Sequence, residues 1–212
     1  MITTQERAIY LASRSARRRE LLAQIGVEFH LLMFRSAPDA DLEVDERPSA
    51  GEAPRAYVER LARAKALAGW KRLEQRNLPR APVLAADTAV ALGARIFGKP
   101  ADRRDAAAML RALSGKAHEV LTAVALQLES RVDCALSASE VRFRELSDED
   151  IRFYLETGEA DDKAGAYAIQ GRAAQFVAEL RGSFSGVMGL PLYETAQLLE
   201  RLGSPRERRG GG

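Results

Sequence analysis

The feature that most constrains the fold is an alternation of short apolar runs with amphipathic segments along the chain. The apolar runs have the length and composition of buried strands, and the segments between them carry apolar residues at helical spacing. Strands that alternate with helices are typical of a sheet covered by helices. The sequence therefore predicts an α/β fold with a mixed, twisted central sheet flanked by helices.

The predicted elements follow this alternation from end to end. Strands are predicted at residues 8–12, 27–34, 81–92, 118–128, 134–146, 166–171 and 175–183. Helices are predicted at residues 13–26, 56–73, 105–113, 147–157 and 189–203. The inner face of the helix over 56–73 is predicted from its apolar positions, Tyr57, Leu61, Ala64 and Leu67.

Length and composition narrow the class of protein. The 212 residues suit one domain, which we expect at 1–203, and the basic, glycine-rich tail at 204–212 is expected to be disordered. A formal net charge of only +2 argues against a general nucleic-acid binder. The single cysteine excludes an intramolecular disulfide, and no apolar run has the length of a membrane span. A cytoplasmic protein is expected.

An arginine-rich segment joins the first predicted strand to the first predicted helix. Ser13 or Ser15 can cap that helix, whose free N–H groups favour an anion. Arg17, Arg18 and Arg19 then stand in the first turn, where cations oppose the helix dipole. A bound polyphosphate would offset that repulsion, and a solvated basic face is the alternative.

Carboxylates mark a second candidate site. Asp87 and Thr88 interrupt a predicted buried strand, and a buried carboxylate is unfavourable unless it is paired, hydrogen-bonded or bound to metal. An aspartate that caps the following turn is the alternative. The acidic loop around Asp45 and Glu46 could join Asp87 in holding Mg²⁺, which prefers oxygen ligands. Such loops are also commonly just solvated.

Three further polar residues are weaker candidates. Lys65 lies on the long amphipathic helix and Lys99 in the sequence GKP, and single lysines are more often surface residues than ligands. Gln170 lies in a segment rich in glycine and alanine, where a ligand can approach the backbone closely. Its amide both donates and accepts, as the edge of a nucleotide base requires.

Taken in order, these motifs resemble the Maf family of nucleotide pyrophosphatases over residues 8–200. The motif most specific to that family is DKAGAYAIQG at 162–171, and it resembles the branch that hydrolyses dTTP and UTP. The other matching motifs are LASRSARRRELL at 11–22, VDE at 44–46, LARAKA at 61–66, AADT at 85–88, GKP at 98–100, LSG at 113–115, TAVAL at 122–126 and GLPLYET at 189–195.

The resemblance implies a cleft between two lobes and a divalent cation, Mg²⁺ or Mn²⁺, as cofactor. The implied reaction cleaves a nucleoside triphosphate to the monophosphate and pyrophosphate, and a homodimer is implied as well. A pyrophosphatase for 7-methyl-GTP or another purine nucleotide is the alternative within the class. A nucleotide-binding regulator of cell division without turnover is the alternative outside it.

The resemblance also implies roles for nine residues. Asp87 matches the proton acceptor and, with Glu46, the metal site. The positions associated with base selection are Arg17, Thr88 and Gln170. The polar groups of the phosphate and metal site are Ser13, Arg18, Glu46, Lys65 and Lys99. The chain departs from the family pattern at Arg14 and Ala16, in the loop before the first helix.

Overall fold

A computed structural model describes residues 8–32 and 44–203 of the chain, so the predicted disordered tail lies outside it. The strands within these ranges are β1 (Ile9–Leu11), β2 (Phe29–Leu31), β3 (Val83–Leu92), β4 (Arg95–Phe97), β5 (Ala117–Leu128), β6 (Arg131–Phe143) and β7 (Val177–Arg181). The α-helices are α1 (Ala16–Gln24), α2 (Pro54–Gln75), α3 (Arg103–Leu113), α4 (Asp148–Glu156), α5 (Phe184–Met188) and α6 (Leu192–Gly203). None of these helices is both long and apolar enough to cross a membrane.

All seven strands join one mixed sheet, which confirms the predicted fold class. The order is β2-β1-β3-β5-β6-β7, and β4 pairs with β3. Strand β1 runs parallel to both β2 and β3, whereas the remaining pairs are antiparallel. Nearly every residue of β3 and β5 is buried, because helices cover both faces of the sheet at its centre.

One edge of β3 is only partly covered by other strands. Strand β5 pairs with residues 83–91 of β3 and therefore occupies the opposite edge. On the open edge, β1 pairs with residues 83–84 and β4 with residues 90–92. No strand of the described chain pairs with residues 85–89 there, so the sheet has an opening where β1 leads into α1.

Helix α2 lies close against the sheet. Its buried residues include Leu61, Trp70 and Leu73, which pack on alanines of β3 and β5. A Cβ atom built on Gly69 would lie 2.8 Å from Val83 Cγ1, so only glycine permits this approach without a shift. The predicted inner face was wrong at Leu67, which is 43% exposed because α2 meets the sheet through its Gly69 side.

A separate apolar cluster lies under α3 and α4 and includes Phe143, Tyr154 and Phe176. Residues 164–176 cover part of it, and the predicted strand at 166–171 was wrong. The chain forms a 3₁₀ turn at Ala164–Ala166, where Gly165 has a φ of 68°, followed by an irregular stretch. The predicted strand at 175–183 is confirmed as β7.

We predict that Gly69→Val lowers the free energy of unfolding by about 1–3 kcal/mol, because the branched side chain would overlap Val83. Urea denaturation measures the change. Lys71→Val is the matched control on an exposed position of α2, with an expected change of about 0.5 kcal/mol or less. A Gly69→Val variant as stable as this control would contradict the close packing of α2.

Candidate active site

A cavity of about 690 Å³ opens at the uncovered edge of β3. Its walls come from the start of α1, the middle of β3, the loop after β4, residues 162–170 and the end of α5. The cavity brings together all nine residues singled out in the sequence, namely Ser13, Arg17, Arg18, Glu46, Lys65, Asp87, Thr88, Lys99 and Gln170. The two departures from the family pattern, Arg14 and Ala16, line it too.

The side chains of two neighbouring residues of β3 project from opposite faces of the sheet at this opening. Asp87 projects toward α2, where the Nζ of Lys65 donates to its Oδ1 at 2.6 Å. Lys65 also forms an ion pair with Glu46 Oε1 at 2.6 Å. The Asp87 residue is only 7% exposed, and the contact with Lys65 offsets the cost of burying a carboxylate. One ammonium group thus lies between two carboxylates.

Helix α2 also fixes the loop that carries Glu46. The Tyr57 hydroxyl donates to the Glu46 carbonyl at 2.9 Å, and Arg60 donates to the Asp45 carbonyl at 3.1 Å. The Asp45 side chain is bound to Arg47, which holds the pKa of that carboxyl well below its usual range. Asp45 does not line the cavity, so Glu46 is the carboxylate that this loop contributes.

Thr88 projects to the other face of the sheet, toward α1 and α5. Arg18 Nη2 donates to the Thr88 hydroxyl at 3.3 Å, and Arg18 Nε donates to the Gly189 carbonyl at 2.8 Å. Thr122 lies 3.0 Å from the Thr88 hydroxyl and donates to the Gly186 carbonyl at 2.7 Å. These bonds fix the Arg18 guanidinium, and its burial lowers its pKa, an effect that nearby negative charge opposes.

The start of α1 settles which serine caps the helix. Ser15 is the N-cap, and its side chain accepts from the backbone N–H of Arg18. The Ser13 hydroxyl accepts from the Ser15 backbone at 3.2 Å and is 8% exposed. The two hydroxyls therefore shape the loop that enters α1, and Arg17 projects from the first turn into the cavity.

Three contacts hold the segment that precedes Gln170 in place. The Gly165 N–H donates to the Gly98 carbonyl at 3.0 Å, which joins this segment to the loop after β4. The Ala168 N–H donates to the Tyr154 hydroxyl at 3.1 Å. The Tyr167 hydroxyl lies 2.9 Å from His118 Nε2 inside the core. Gln170 follows this anchored stretch and is itself exposed.

Lys163 is a cation of this cavity that was not singled out from the sequence. Its side chain lines the cavity and is only 14% exposed. Its pKa falls to about 8, chiefly through burial and then through the positive charges of Arg17 and Lys99. Lys163 stood within the DKAGAYAIQG motif, but sequence position alone did not show that it would meet two other cations.

The cavity has a limited set of metal ligands. Within residues 8–32 and 44–203, no group of three or more histidine, cysteine, aspartate or glutamate side chains could hold a metal ion by itself. Glu46 and Asp87 place carboxylate oxygens on either side of the Lys65 ammonium. Mg²⁺ is commonly held by one or two carboxylates together with substrate phosphates, so this pair fits such an ion.

Charge is divided unevenly within the cavity. Glu46, Lys65 and Asp87 form one group, and Arg17, Lys99 and Lys163 form a group that we call the cationic wall. The exposed Asp162, which is paired with Lys163, also lines the cavity. The arrangement can hold an extended polyanion, with its reacting atom beside Asp87 and its remaining charge on the cationic wall.

Comparison with known proteins shows the family of this chain. Residues 8–202 match the family described as Maf-like protein. The chain belongs to that family. It is 59% identical to the dTTP/UTP pyrophosphatase of Dechloromonas aromatica, over 92% of this chain and 97% of that protein. It is 61% identical to the dTTP/UTP pyrophosphatase of Aromatoleum aromaticum, over 93% of this chain and 96% of that protein.

We predict that the free energy of unfolding falls in acid because of His118, whose contact with Tyr167 holds the segment before Gln170 in place. Burial lowers the pKa of His118 from 6.5 to about 4. As the pH falls, the histidine therefore takes up a proton in the unfolded chain before it does so in the folded one. The contribution of neutral His118 to the free energy of unfolding is complete above pH 6.5 and is lost between pH 6.5 and 4. The loss should reach about 3 kcal/mol, and His118→Gln should abolish it. Urea denaturation at a series of pH values measures the slope.

The other histidine of the chain provides the matched control. His30→Gln replaces an exposed residue of β2 and should keep the wild-type slope. If His118→Gln shows the same pH dependence of the free energy of unfolding as the wild type, the neutral buried histidine does not stabilise the fold as predicted.

Proposed function

We propose that this protein is a nucleoside triphosphate pyrophosphatase that converts dTTP and UTP to the monophosphate and pyrophosphate. The observation that carries the proposal is the paired Asp87 at the open edge of β3, facing a cationic wall within one cavity. The relatives named dTTP/UTP pyrophosphatase support the choice of reaction and of base. A regulator without turnover does not account for a basic group beside a cationic wall, and the names of the relatives favour a pyrimidine over a purine nucleotide.

In the proposed reaction a water molecule attacks the α-phosphorus of the bound triphosphate. The new bond joins the water oxygen to that phosphorus, and the bond from phosphorus to the α,β-bridging oxygen breaks. Asp87 accepts the proton of the water, and pyrophosphate leaves with the bonding electron pair. Arg18, fixed by Thr88 and Gly189, offers its remaining donors to the phosphoryl oxygens.

Glu46 and Asp87 would hold a divalent cation, Mg²⁺ or Mn²⁺, together with the substrate phosphates. The ion would neutralise phosphate charge and polarise the attacked phosphorus when bound. Lys65 would hold the two carboxylates in place, because its ammonium contacts both. Asp87 therefore has two proposed roles, as base and as ligand.

Gln170 is the residue proposed to select the pyrimidine. Its exposed amide lies at the cavity, where it can accept from N3–H and donate to O4 of uracil or thymine. Thr88 is already engaged with Arg18 and Thr122, so we assign its part in specificity to holding Arg18 rather than to a direct contact with the base. A cytoplasmic location and a homodimer stay predictions.

We predict that the wild type releases pyrophosphate and UMP from UTP, and that excess EDTA stops the reaction until Mg²⁺ or Mn²⁺ is restored. Asp87→Asn keeps the side-chain size but removes the base, so turnover should fall by about 10²–10⁴-fold or more. Ion-exchange chromatography of the products measures both effects. Asp148→Asn, a matched change at an exposed position outside the cavity, should retain the wild-type rate.

Other results would contradict the proposal in distinct ways. UDP and orthophosphate as products would exclude a pyrophosphatase. A folded Asp87→Asn variant with most of the wild-type rate would remove Asp87 from the mechanism. Nucleotide binding by the metal-loaded wild type without turnover would favour the regulatory alternative.

We predict that Gln170→Glu selectively slows the hydrolysis of UTP and dTTP, because glutamate lacks the amide donor for O4. The loss should be about 1–3 kcal/mol in kcat/KM for these two substrates, with little change in the low rates for CTP and GTP. Steady-state kinetics on the four nucleotides measures the effect. An equal fall on all four would assign Gln170 to the structure of its loop.

A further inference from the structure

Three cations of the cavity meet on the cationic wall, and one of them has no assigned role. Arg17 comes from the first turn of α1, Lys99 from the loop after β4 and Lys163 from the turn before Ala164. Burial lowers the pKa of Lys163 most, and the charges of Arg17 and Lys99 lower it further, so these cations are close enough to affect it. Like charges gathered at a partly buried surface are unfavourable unless an anion binds there.

Backbone contacts fix the positions of the loops that carry Lys99 and Lys163. The Gly165 N–H donates to the Gly98 carbonyl at 3.0 Å, which places Lys163 and Lys99 in adjoining loops. A Cβ on Gly165 would lie 2.8 Å from Val90 Cγ2, so the turn is pressed against β3. The position of Lys163 at the cavity is therefore fixed by the fold.

The negative charges around Lys163 are its sequence neighbour Asp162 and two carboxylates outside the cavity lining. Asp162 lines the cavity and forms an ion pair with Lys163, but its side chain is 73% exposed, so water screens much of this pair. Glu159 and Asp161 raise its pKa from outside the cavity lining, and Glu159 also accepts from the Arg172 N–H at 2.9 Å. The carboxylates deeper in the cavity, Glu46 and Asp87, are engaged with Lys65.

We propose that Lys163 binds the leaving pyrophosphate, that is, the β- and γ-phosphates of the substrate. The inference rests on the proposed function, which places the α-phosphorus beside Asp87. Most of the charge of a triphosphate lies on its terminal two groups, and three cations match that charge better than they match a neutral base. The proposal therefore places Arg17 at these phosphates instead of the base, which the resemblance had implied. Lys163 keeps its proton and donates to the oxygens on which negative charge develops as the α,β-bridging bond breaks.

Calorimetric titration in Mg²⁺ with inorganic pyrophosphate and, separately, with UMP tests this assignment. Lys163→Gln should weaken pyrophosphate binding by about 10- to 100-fold, the value of one charged hydrogen bond, and should leave UMP binding within about threefold. Lys163→Arg should restore most of the pyrophosphate affinity because it keeps the charge. Lys71→Gln, an exposed lysine of α2 outside the cavity, is the matched control.

Each other pattern overturns the proposal. Weaker UMP binding with unchanged pyrophosphate binding would assign Lys163 to the nucleoside half of the substrate. An equal loss for both ligands, or a lower melting temperature in Lys163→Gln and Lys163→Arg alike, would make Lys163 structural. Unchanged binding of both would leave it without a ligand. The titrations need no turnover, so they are separate from the nucleotide assay on which the proposed function depends.

Discussion

The ion pair between Lys65 and Asp87 is the interaction on which the rest of the site depends. A carboxylate in the middle of a buried strand is unfavourable without a partner, and the 2.6 Å contact with Lys65 supplies one. The same ammonium also binds Glu46, so Lys65 of α2 links strand β3 to the loop that carries Glu46. Removal of Lys65 would leave two carboxylates without the cation that lies between them, which is unfavourable.

The sheet topology explains why this charge lies at a cavity. Strands β1 and β4 share one edge of β3 and leave residues 85–89 uncovered between them. The Asp87 side chain projects from one face of the sheet toward α2, and the Thr88 side chain projects from the other face toward α1, because successive strand residues face opposite sides. The start of α1 and residues 162–170 then close the walls. An opening within a sheet thus becomes a site with the Glu46–Lys65–Asp87 group and the cationic wall in one cavity.

The parts of the structure that the sequence predicted are those decided locally. The strand at 81–92 was found at nearly the same bounds, because a long apolar run has few alternatives. Leu67 was misplaced because tertiary packing decides which side of a helix approaches a sheet. Residues 166–171 have the composition of a strand, but the left-handed Gly165 turns the chain. Lys163 was missed because its significance comes from neighbours distant in sequence.

The central claim is that water attacks the α-phosphorus of a triphosphate held with that atom beside Asp87. Hydrolysis of UTP in water enriched in ¹⁸O, followed by mass spectrometry of both products, tests it most directly. The account predicts one ¹⁸O atom in UMP and none in pyrophosphate, because the attacked phosphorus stays with the nucleoside. Label in pyrophosphate with unlabelled UMP would show attack at the β-phosphorus and would contradict the placement of the substrate in this cavity.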